Sequence, residues 1–140
     1  MTYSRKLVLI LVAVSVFAGA PVWADDVTVL CSQYFKDKDY KNAFAPCKQS
    51  AELGYAGAQF NLAWMYYESE GVEQDKRKAL KWVRKAAEQG SLEAQFFLGL
   101  MYAKGEGVGQ NYKEAYIWFS LAALLGNGNE IPIKARDKAG

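Results

Sequence analysis

The residues best suited to chemistry in this chain of 140 are two cysteines, Cys31 and Cys47, and the chain has no histidine. Without histidine, Ser-His and Cys-His nucleophile pairs and histidine-ligated metal sites are excluded. The sequence also lacks Ser-x-x-Lys, Gly-x-Ser-x-Gly, a phosphate-binding loop that ends in Lys, and an Asp-x-Asp-x-Asp-Gly calcium loop. We therefore predict no catalytic residue, no metal site and no cofactor.

Two further groups of residues have types that can do chemistry. The run Gly105-x-Gly107-x-Gly109 is similar to a nucleotide-binding loop, but it joins two predicted helices and follows no strand. Acid-base pairs would need carboxylates such as Asp37, Asp39, Glu68, Glu70 and Glu73. These carboxylates lie in predicted turns and helix caps, so we interpret them as solvated structural residues.

The first 24 residues are typical of an export signal. Two basic residues precede an apolar run from Leu7 to Ala18, and Val22 and Ala24 provide small residues before a cleavage site. The run is too short to span a membrane comfortably, which makes an uncleaved anchor the weaker alternative. We predict a signal peptide of residues 1–24, cleaved between Ala24 and Asp25, and a periplasmic or secreted product.

Composition limits the classes of partner. Removing 24 residues leaves 116 (140 − 24), enough for about one domain, and leaves 15 basic residues (17 − 2) against 15 acidic residues. Because a neutral domain lacks the positive charge that binds phosphates, we expect no nucleic-acid partner, and we expect no membrane partner after signal cleavage.

The basic residues between 76 and 85 are interrupted by Trp82 and Val83, which indicates the solvated face of an amphipathic helix. A partner with an acidic patch is the alternative for this face.

The chain repeats itself at a spacing of 36 residues. Residues 55–90 align with residues 91–126, and 15 of the 36 pairs are identical. Each copy has apolar residues at three- and four-residue spacing on both sides of a Glu-Gly-Val triplet, a pattern that predicts two helices joined by a turn. The predicted N-caps are Asp39, Asp75, Ser91 and Asn111. Glycines predicted to end helices with positive φ are Gly54, Gly90 and Gly126.

The repeated pattern resembles a known family. Ala58-x3-Leu62-Ala63-x2-Tyr66-x4-Gly71-Val72 followed by Asp75-x3-Ala79-x2-Trp82-x3-Ala86-Ala87-x2-Gly90 is similar to the Sel1-like repeat, a relative of the tetratricopeptide repeat. The resemblance implies an all-α fold, a right-handed superhelix (a solenoid) of helix-turn-helix hairpins. One departure is Ser69, which stands where the second copy has Gly105 in the turn.

We divide the chain according to this resemblance. After the signal peptide come a shorter tetratricopeptide-like hairpin at 25–54, two Sel1-like repeats at 55–90 and 91–126, and a loop with a short capping helix at 127–140. In the first hairpin, the even cysteine count of an exported chain favours a disulfide between Cys31 and Cys47 over two buried thiols. The alignment places the two cysteines on facing helices of that hairpin.

The first helices of the hairpins should line the concave face, and they are apolar on two sides. We assign Phe60, which recurs as Phe96, to packing between neighbouring hairpins. Positions that differ between the copies, or that extend the same surface, are the candidate partner-binding residues: Phe35, Trp64, Tyr67, Glu68, Leu100 and Lys104. As an alternative, Trp64 and Tyr67 only pack inside the tight curve of a superhelix with few hairpins and contact no ligand.

These observations favour a non-enzymatic protein that binds a protein or peptide partner as an adaptor or regulator. Two alternatives remain. Some cysteine-rich relatives are associated with β-lactams, which suggests a secreted β-lactam-binding or β-lactam-hydrolysing enzyme. A structural homo-oligomer, with the aromatic face covered by a second copy, is the other. The sequence does not predict the oligomeric state.

Overall fold

A computed structural model describes residues 24–126, and these residues form six α-helices and no β-strand. The helices are α1 (Ala24–Lys36), α2 (Tyr40–Glu52), α3 (Ala56–Glu68), α4 (Lys76–Glu88), α5 (Leu92–Lys104) and α6 (Tyr112–Leu125). Consecutive helices pack in pairs, and each hairpin packs on the next one. The predicted all-α architecture of helical hairpins is confirmed. The predicted signal peptide, apart from Ala24, and the predicted loop and cap at 127–140 lie outside the described residues.

Four helices begin at the predicted capping residues. The side-chain oxygens of Asp39, Asp75, Ser91 and Asn111 each accept a hydrogen bond from the backbone amide three residues later, at 3.0–3.4 Å. These bonds satisfy amides that have no partner within the helix. The bond from the amide of Lys78 holds the pKa of Asp75 below its ordinary value of 3.8. The predicted starts of α2, α4, α5 and α6 are therefore confirmed.

Glycine ends two of the three helices as predicted. Gly54 and Gly90 have φ angles of 100° and 93°, in the region that glycine adopts without steric cost. The prediction of a positive φ at Gly126 is wrong, because its φ is −87°. The amide of Gly126 donates to the carbonyl of Ala122 at 2.9 Å, so the helical hydrogen bonding of α6 continues through this residue.

The departure at Ser69 does not change the turn. Ser69 and Gly105 end α3 and α5 with φ and ψ of 60° and 38°, and of 73° and 38°. The hydroxyl of Ser69 donates to the carbonyl of Val72 at 3.2 Å. The turn of the first hairpin is shorter, three residues (37–39) against seven (69–75), as the alignment predicted.

Glycines in the two long turns set the distance between hairpins. Gly71 lies against the carbonyl of Tyr40 at the start of α2, and Gly107 lies against the carbonyl of Lys76 at the start of α4. A Cβ atom at either position would overlap the backbone of the preceding hairpin. The Glu-Gly-Val triplet therefore recurs because its glycine is a point of backbone contact between neighbouring hairpins.

The hydrophobic core lies within and between the hairpins. Its largest fully buried apolar side chains come from the first helices of the two repeats: Leu62, Met65, Leu98 and Met101. Alanines with no exposed surface in the second helices, Ala43, Ala79 and Ala115, allow the close approach of the paired helices. These residues recur at the 36-residue spacing, so the repeated pattern supplies much of the core.

A disulfide joins the two helices of the first hairpin. Cys31 on α1 and Cys47 on α2 are bonded, and their Cα atoms are 4.6 Å apart. Both side chains are buried, and the side-chain amide of Asn61 in the next hairpin donates to Cys31 Sγ at 3.7 Å. The structure thus contains the predicted disulfide, in the hairpin that has a neighbour on one side only within the described chain.

A pair of buried glutamines connects each repeat to the preceding hairpin. Gln59 and Gln95 donate to the carbonyls of Ala51 and Ala87 at 3.2 and 3.1 Å. The side-chain oxygen of Gln59 also accepts a hydrogen bond from Gln89 at 2.8 Å. Among residues 24–126, no group donates to the corresponding oxygen of Gln95, which is buried. One buried acceptor in the last repeat is therefore unsatisfied within this range.

A substitution at position 125 should satisfy the side-chain oxygen of Gln95 and stabilise the fold. Leu125 occupies in the second repeat the position of Gln89 in the first, 36 residues earlier. We expect Leu125→Gln to supply the missing donor and to raise the free energy of unfolding by about 1 kcal/mol, measured by thermal melting. Leu124→Gln is the matched control, because Leu124 is 78% exposed. Equal shifts in the two variants would contradict the hydrogen-bond explanation.

Candidate partner-binding groove

A groove of about 470 Å³ lies between α3 and α5, the first helices of the two repeats. Its lining is Phe60, Trp64, Tyr67 and Glu68 from α3, and Glu93, Phe96, Phe97, Leu100, Met101 and Lys104 from α5. Five of the six predicted binding residues meet here: Trp64, Tyr67, Glu68, Leu100 and Lys104. The sixth, Phe35, lies one hairpin away, and its ring packs edge-on against Tyr40 at 5.4 Å.

Phe97 forms the centre of the groove. It is 9% exposed, and its ring centroid lies 6.0 Å from Phe60, 5.8 Å from Trp64 and 4.9 Å from Tyr67. The contacts with Phe60 and Tyr67 are edge-to-face, an arrangement that stabilises aromatic pairs beyond the effect of burial alone. Phe97 is not among the binding residues predicted from the sequence. The available signal was its replacement of Asn61, a polar residue at the equivalent position of the first copy.

Trp64 and Tyr67 have two roles at once. Both are half-buried against Phe97 of the next hairpin, and both border the groove. The two alternatives from the sequence, curve filling and ligand contact, therefore apply to the same side chains. A variant that removes both rings would change packing as well as the groove surface.

The hydroxyl of Tyr67 is held by the turn of the second repeat. It donates to the carboxylate of Glu106, which also receives a hydrogen bond from Lys76 Nζ at 2.8 Å. Burial and the neighbouring Glu106 raise the pKa of Tyr67 to about 12, so the hydroxyl keeps its proton at neutral pH. The bonds from Lys76 and Tyr67 hold the pKa of Glu106 below its ordinary value of 4.5. The groove wall is thereby fixed across two hairpins, and Glu106 is a second residue that the sequence analysis missed.

The two recurring phenylalanines differ in exposure. Phe60 packs on Phe97 of the next hairpin, as predicted. Phe96 is 45% exposed and packs on Phe119 of its own hairpin at 5.2 Å, so the two phenylalanines pack differently. Within the described range no further hairpin follows to cover Phe96, and it contributes exposed aromatic surface to the groove.

Charged residues mark the two ends of the groove. Glu93 lies in the first turn of α5, whereas Glu68 and Lys104 end α3 and α5. An apolar floor between charged ends suits a ligand with an apolar body and polar flanks.

In the range 24–126, no cluster of three or more cysteine, aspartate or glutamate side chains could hold a metal ion. No helix in that range is long and apolar enough to cross a membrane.

Comparisons with known proteins agree with this architecture. A structure of a Sel1 repeat protein from Oxalobacter formigenes has a TM-score of 0.60 and 35% identity over 71% of this chain and 39% of that one. The structure of a protective antigen present in uropathogenic Escherichia coli strains has a TM-score of 0.69 and 33% identity over 83% of this chain. This chain covers 25% of that antigen. It therefore spans well under half the length of both relatives.

A third structure supports the fold alone. The cysteine-rich protein B of Helicobacter pylori has a TM-score of 0.59 and 22% identity, over 86% of this chain and 98% of that one. No curated protein matches this chain in a sequence search. The family model of the Sel1 repeat matches residues 56–91 and 92–127, which together are more than half of the sequence. With the stacked helical hairpins and the 36-residue period, these matches show that the chain belongs to the Sel1-repeat family and folds as a right-handed superhelix of the tetratricopeptide type.

Proposed function

We propose that this protein is a non-enzymatic adaptor or regulator that binds a protein or peptide partner in the groove between α3 and α5. Sel1 repeats are protein-interaction scaffolds, which supports the class of function. The observation that carries the proposal is the groove itself, where a half-exposed Phe96 lies beside the Phe97 cluster. Aromatic residues in a partly desolvated pocket are the usual centres of binding energy in protein interfaces.

The size of the groove indicates the form of the ligand. Phe60 and Tyr67 are seven residues apart on one helix, so the aromatic wall is about 10 Å long. This length fits two turns of an amphipathic helix or a short extended peptide. We propose a peptide segment whose bulky apolar residue packs on Phe96, beside the Phe97 cluster, and whose flanking polar groups face Glu93 at one end and Glu68 and Lys104 at the other.

We also propose that the protein is periplasmic or secreted after cleavage between Ala24 and Asp25. The apolar run from Leu7 to Ala18 supports export. The disulfide between Cys31 and Cys47 supports the same location, because disulfides persist in oxidising compartments.

Substitution of Phe96 tests the groove. Peptides selected from a random library against the chain from Asp25 to Gly140 should bind Phe96→Asp at least about tenfold more weakly, measured by fluorescence polarisation. Leu53→Asp is the control, since Leu53 is 51% exposed at the end of α2 and outside the groove lining. Equal affinities for wild type and Phe96→Asp would place binding elsewhere. Turnover of a chromogenic β-lactam by the wild type would instead support an enzyme.

A further inference from the structure

The outer side of α6 differs from the outer side of α4. Equivalent positions, 36 residues apart, have Lys81 and Ile117, Lys85 and Leu121, and Glu88 and Leu124. In α6, Ile117 is 53% exposed and Leu124 is 78% exposed. A helix that is apolar on its outer side as well as its core side is typical of one that is buried on both sides. The family repeat does not require this pattern, because α4 has charged residues at the same positions.

The neighbouring outer helix, α4, is strongly basic. Its exposed cations include Arg77, Lys81 and Lys85, and Lys81 and Lys85 lie over the ring of Trp82 at 5.8 and 4.8 Å. Of the carboxylates in the described chain, none forms an ion pair with these three cations. Their charge is therefore available to a partner.

The exposed cations of α4 (the basic strip) and the exposed apolar residues of α6 (the apolar strip) lie on one side of the molecule. Successive repeats of a solenoid are related by a small rotation, so equivalent positions on α4 and α6 face in similar directions. We call this surface the outer face, formed by Arg77, Lys81 and Lys85 on α4 and by Ile117, Leu121 and Leu124 on α6. It lies on the second helices of the hairpins, whereas the groove lies between the first helices.

We propose that the outer face binds the surface of an anionic lipid bilayer. Exposed aliphatic side chains can enter the boundary between headgroups and acyl chains, while adjacent lysines and arginines bind the lipid phosphates. Charge complementarity with the basic strip selects anionic lipids. The sequence led us to expect no membrane partner after signal cleavage, and we depart from that expectation here because Ile117 and Leu124 are exposed.

A second copy of the chain fits this face less well. A fully exposed Leu or Ile side chain offers roughly 100–150 Å² of apolar surface. The exposed fractions of Ile117 and Leu124 (53% and 78%) therefore give about 130–200 Å² of apolar surface per copy. Two copies would bury about twice that apolar area, well below the apolar share, more than half, of the roughly 1,200 Å² that a stable interface buries. A bilayer needs no such contiguous complementary area.

Vesicle sedimentation tests the proposal. The experiment uses the chain from Asp25 to Gly140, which contains the described fold apart from Ala24 and lacks the apolar run from 7 to 18, a segment that would itself bind lipid. We expect binding to vesicles of phosphatidylcholine with 40 mol% phosphatidylglycerol, weak binding to phosphatidylcholine alone, and release by 0.5 M salt.

Paired variants separate the two parts of the face. Lys81→Glu with Lys85→Glu, and Ile117→Asp with Leu124→Asp, should each lower the bound fraction about tenfold. Val29→Asp is the control, because Val29 is 61% exposed on α1, away from this face. Circular dichroism of each variant checks that the helices are intact. Peptide binding in the groove should be unchanged in these outer-face variants. A failure of the lipid-binding proposal can therefore be distinguished from a failure of the proposed peptide-binding function.

Three outcomes would overturn the proposal. The first is the absence of lipid binding by the wild type. The second is self-association that Ile117→Asp with Leu124→Asp abolishes, which would make a second copy the occupant. The third is vesicle binding only by a variant that ends at Gly126, which would show that residues 127–140 cover the apolar strip.

Discussion

Gly107→Ala is expected to lower the free energy of unfolding by about 3 kcal/mol. Gly107 has a φ of 72°, a left-handed conformation that costs an L-residue about 1–2 kcal/mol. The added methyl group would also overlap the carbonyl of Lys76, a backbone atom at the start of α4 that cannot move without displacing the preceding hairpin. Urea unfolding followed by circular dichroism measures the change.

Gly109→Ala is the matched control for this prediction. Gly109 lies two residues further along the same turn, its φ is outside the left-handed region, and an added Cβ would have no neighbour within 4 Å. We expect its effect on stability to be below about 1 kcal/mol in either direction. Gly71→Ala should reproduce the large loss, because the carbonyl of Tyr40 occupies the corresponding position. Similar stabilities for the 107 and 109 variants would show that the hairpins are not in contact at this turn.

Removal of the disulfide, by Cys31→Ala with Cys47→Ala, is expected to cost about 3 kcal/mol. The cysteines are 16 residues apart. Without the cross-link the unfolded chain gains conformational entropy, which for a loop of this length stabilises the unfolded state by about 3 kcal/mol. Both side chains are fully buried, so the substitution also leaves a small cavity in the first hairpin. Urea unfolding of the wild type with and without reductant measures the contribution of the cross-link alone, because the reduced thiols leave no cavity.

The thiol state of the wild type is the control for the disulfide. In denaturant without reductant, an Ellman assay should detect no free thiol, and after reduction it should detect both. Two reactive thiols before reduction, together with a urea midpoint that reductant does not change, would refute the disulfide. Such a result would also remove one of the two arguments for export.

The same inter-hairpin contacts determine the shape of the groove. Phe97 meets Trp64 and Tyr67 across two hairpins, and the bonds from Tyr67 and Lys76 to Glu106 close the same junction. A loss of contact at Gly107 would change the angle between these hairpins. Ligand affinity in the groove and stability at the turn should therefore decrease together in Gly107→Ala.

The sequence alone predicted the features that depend on local spacing. The N-caps at Asp39, Asp75, Ser91 and Asn111, and the two-helix form of each repeat, follow from hydrogen bonds that join residues three or four positions apart. Such bonds depend on the local sequence and do not require contact with a neighbouring hairpin. The pairing of Cys31 with Cys47 was equally accessible, because the chain has no third cysteine.

The tertiary structure decided which side chains meet between hairpins. The contact of Tyr67 with Glu106 spans 39 residues, and the position of Phe97 beneath Trp64 and Tyr67 depends on the angle between two hairpins. The periodicity of one helix contains no information about that angle. The same reason explains the exposure of Phe96 and the unsatisfied oxygen of Gln95, since each depends on which group the next element places beside it.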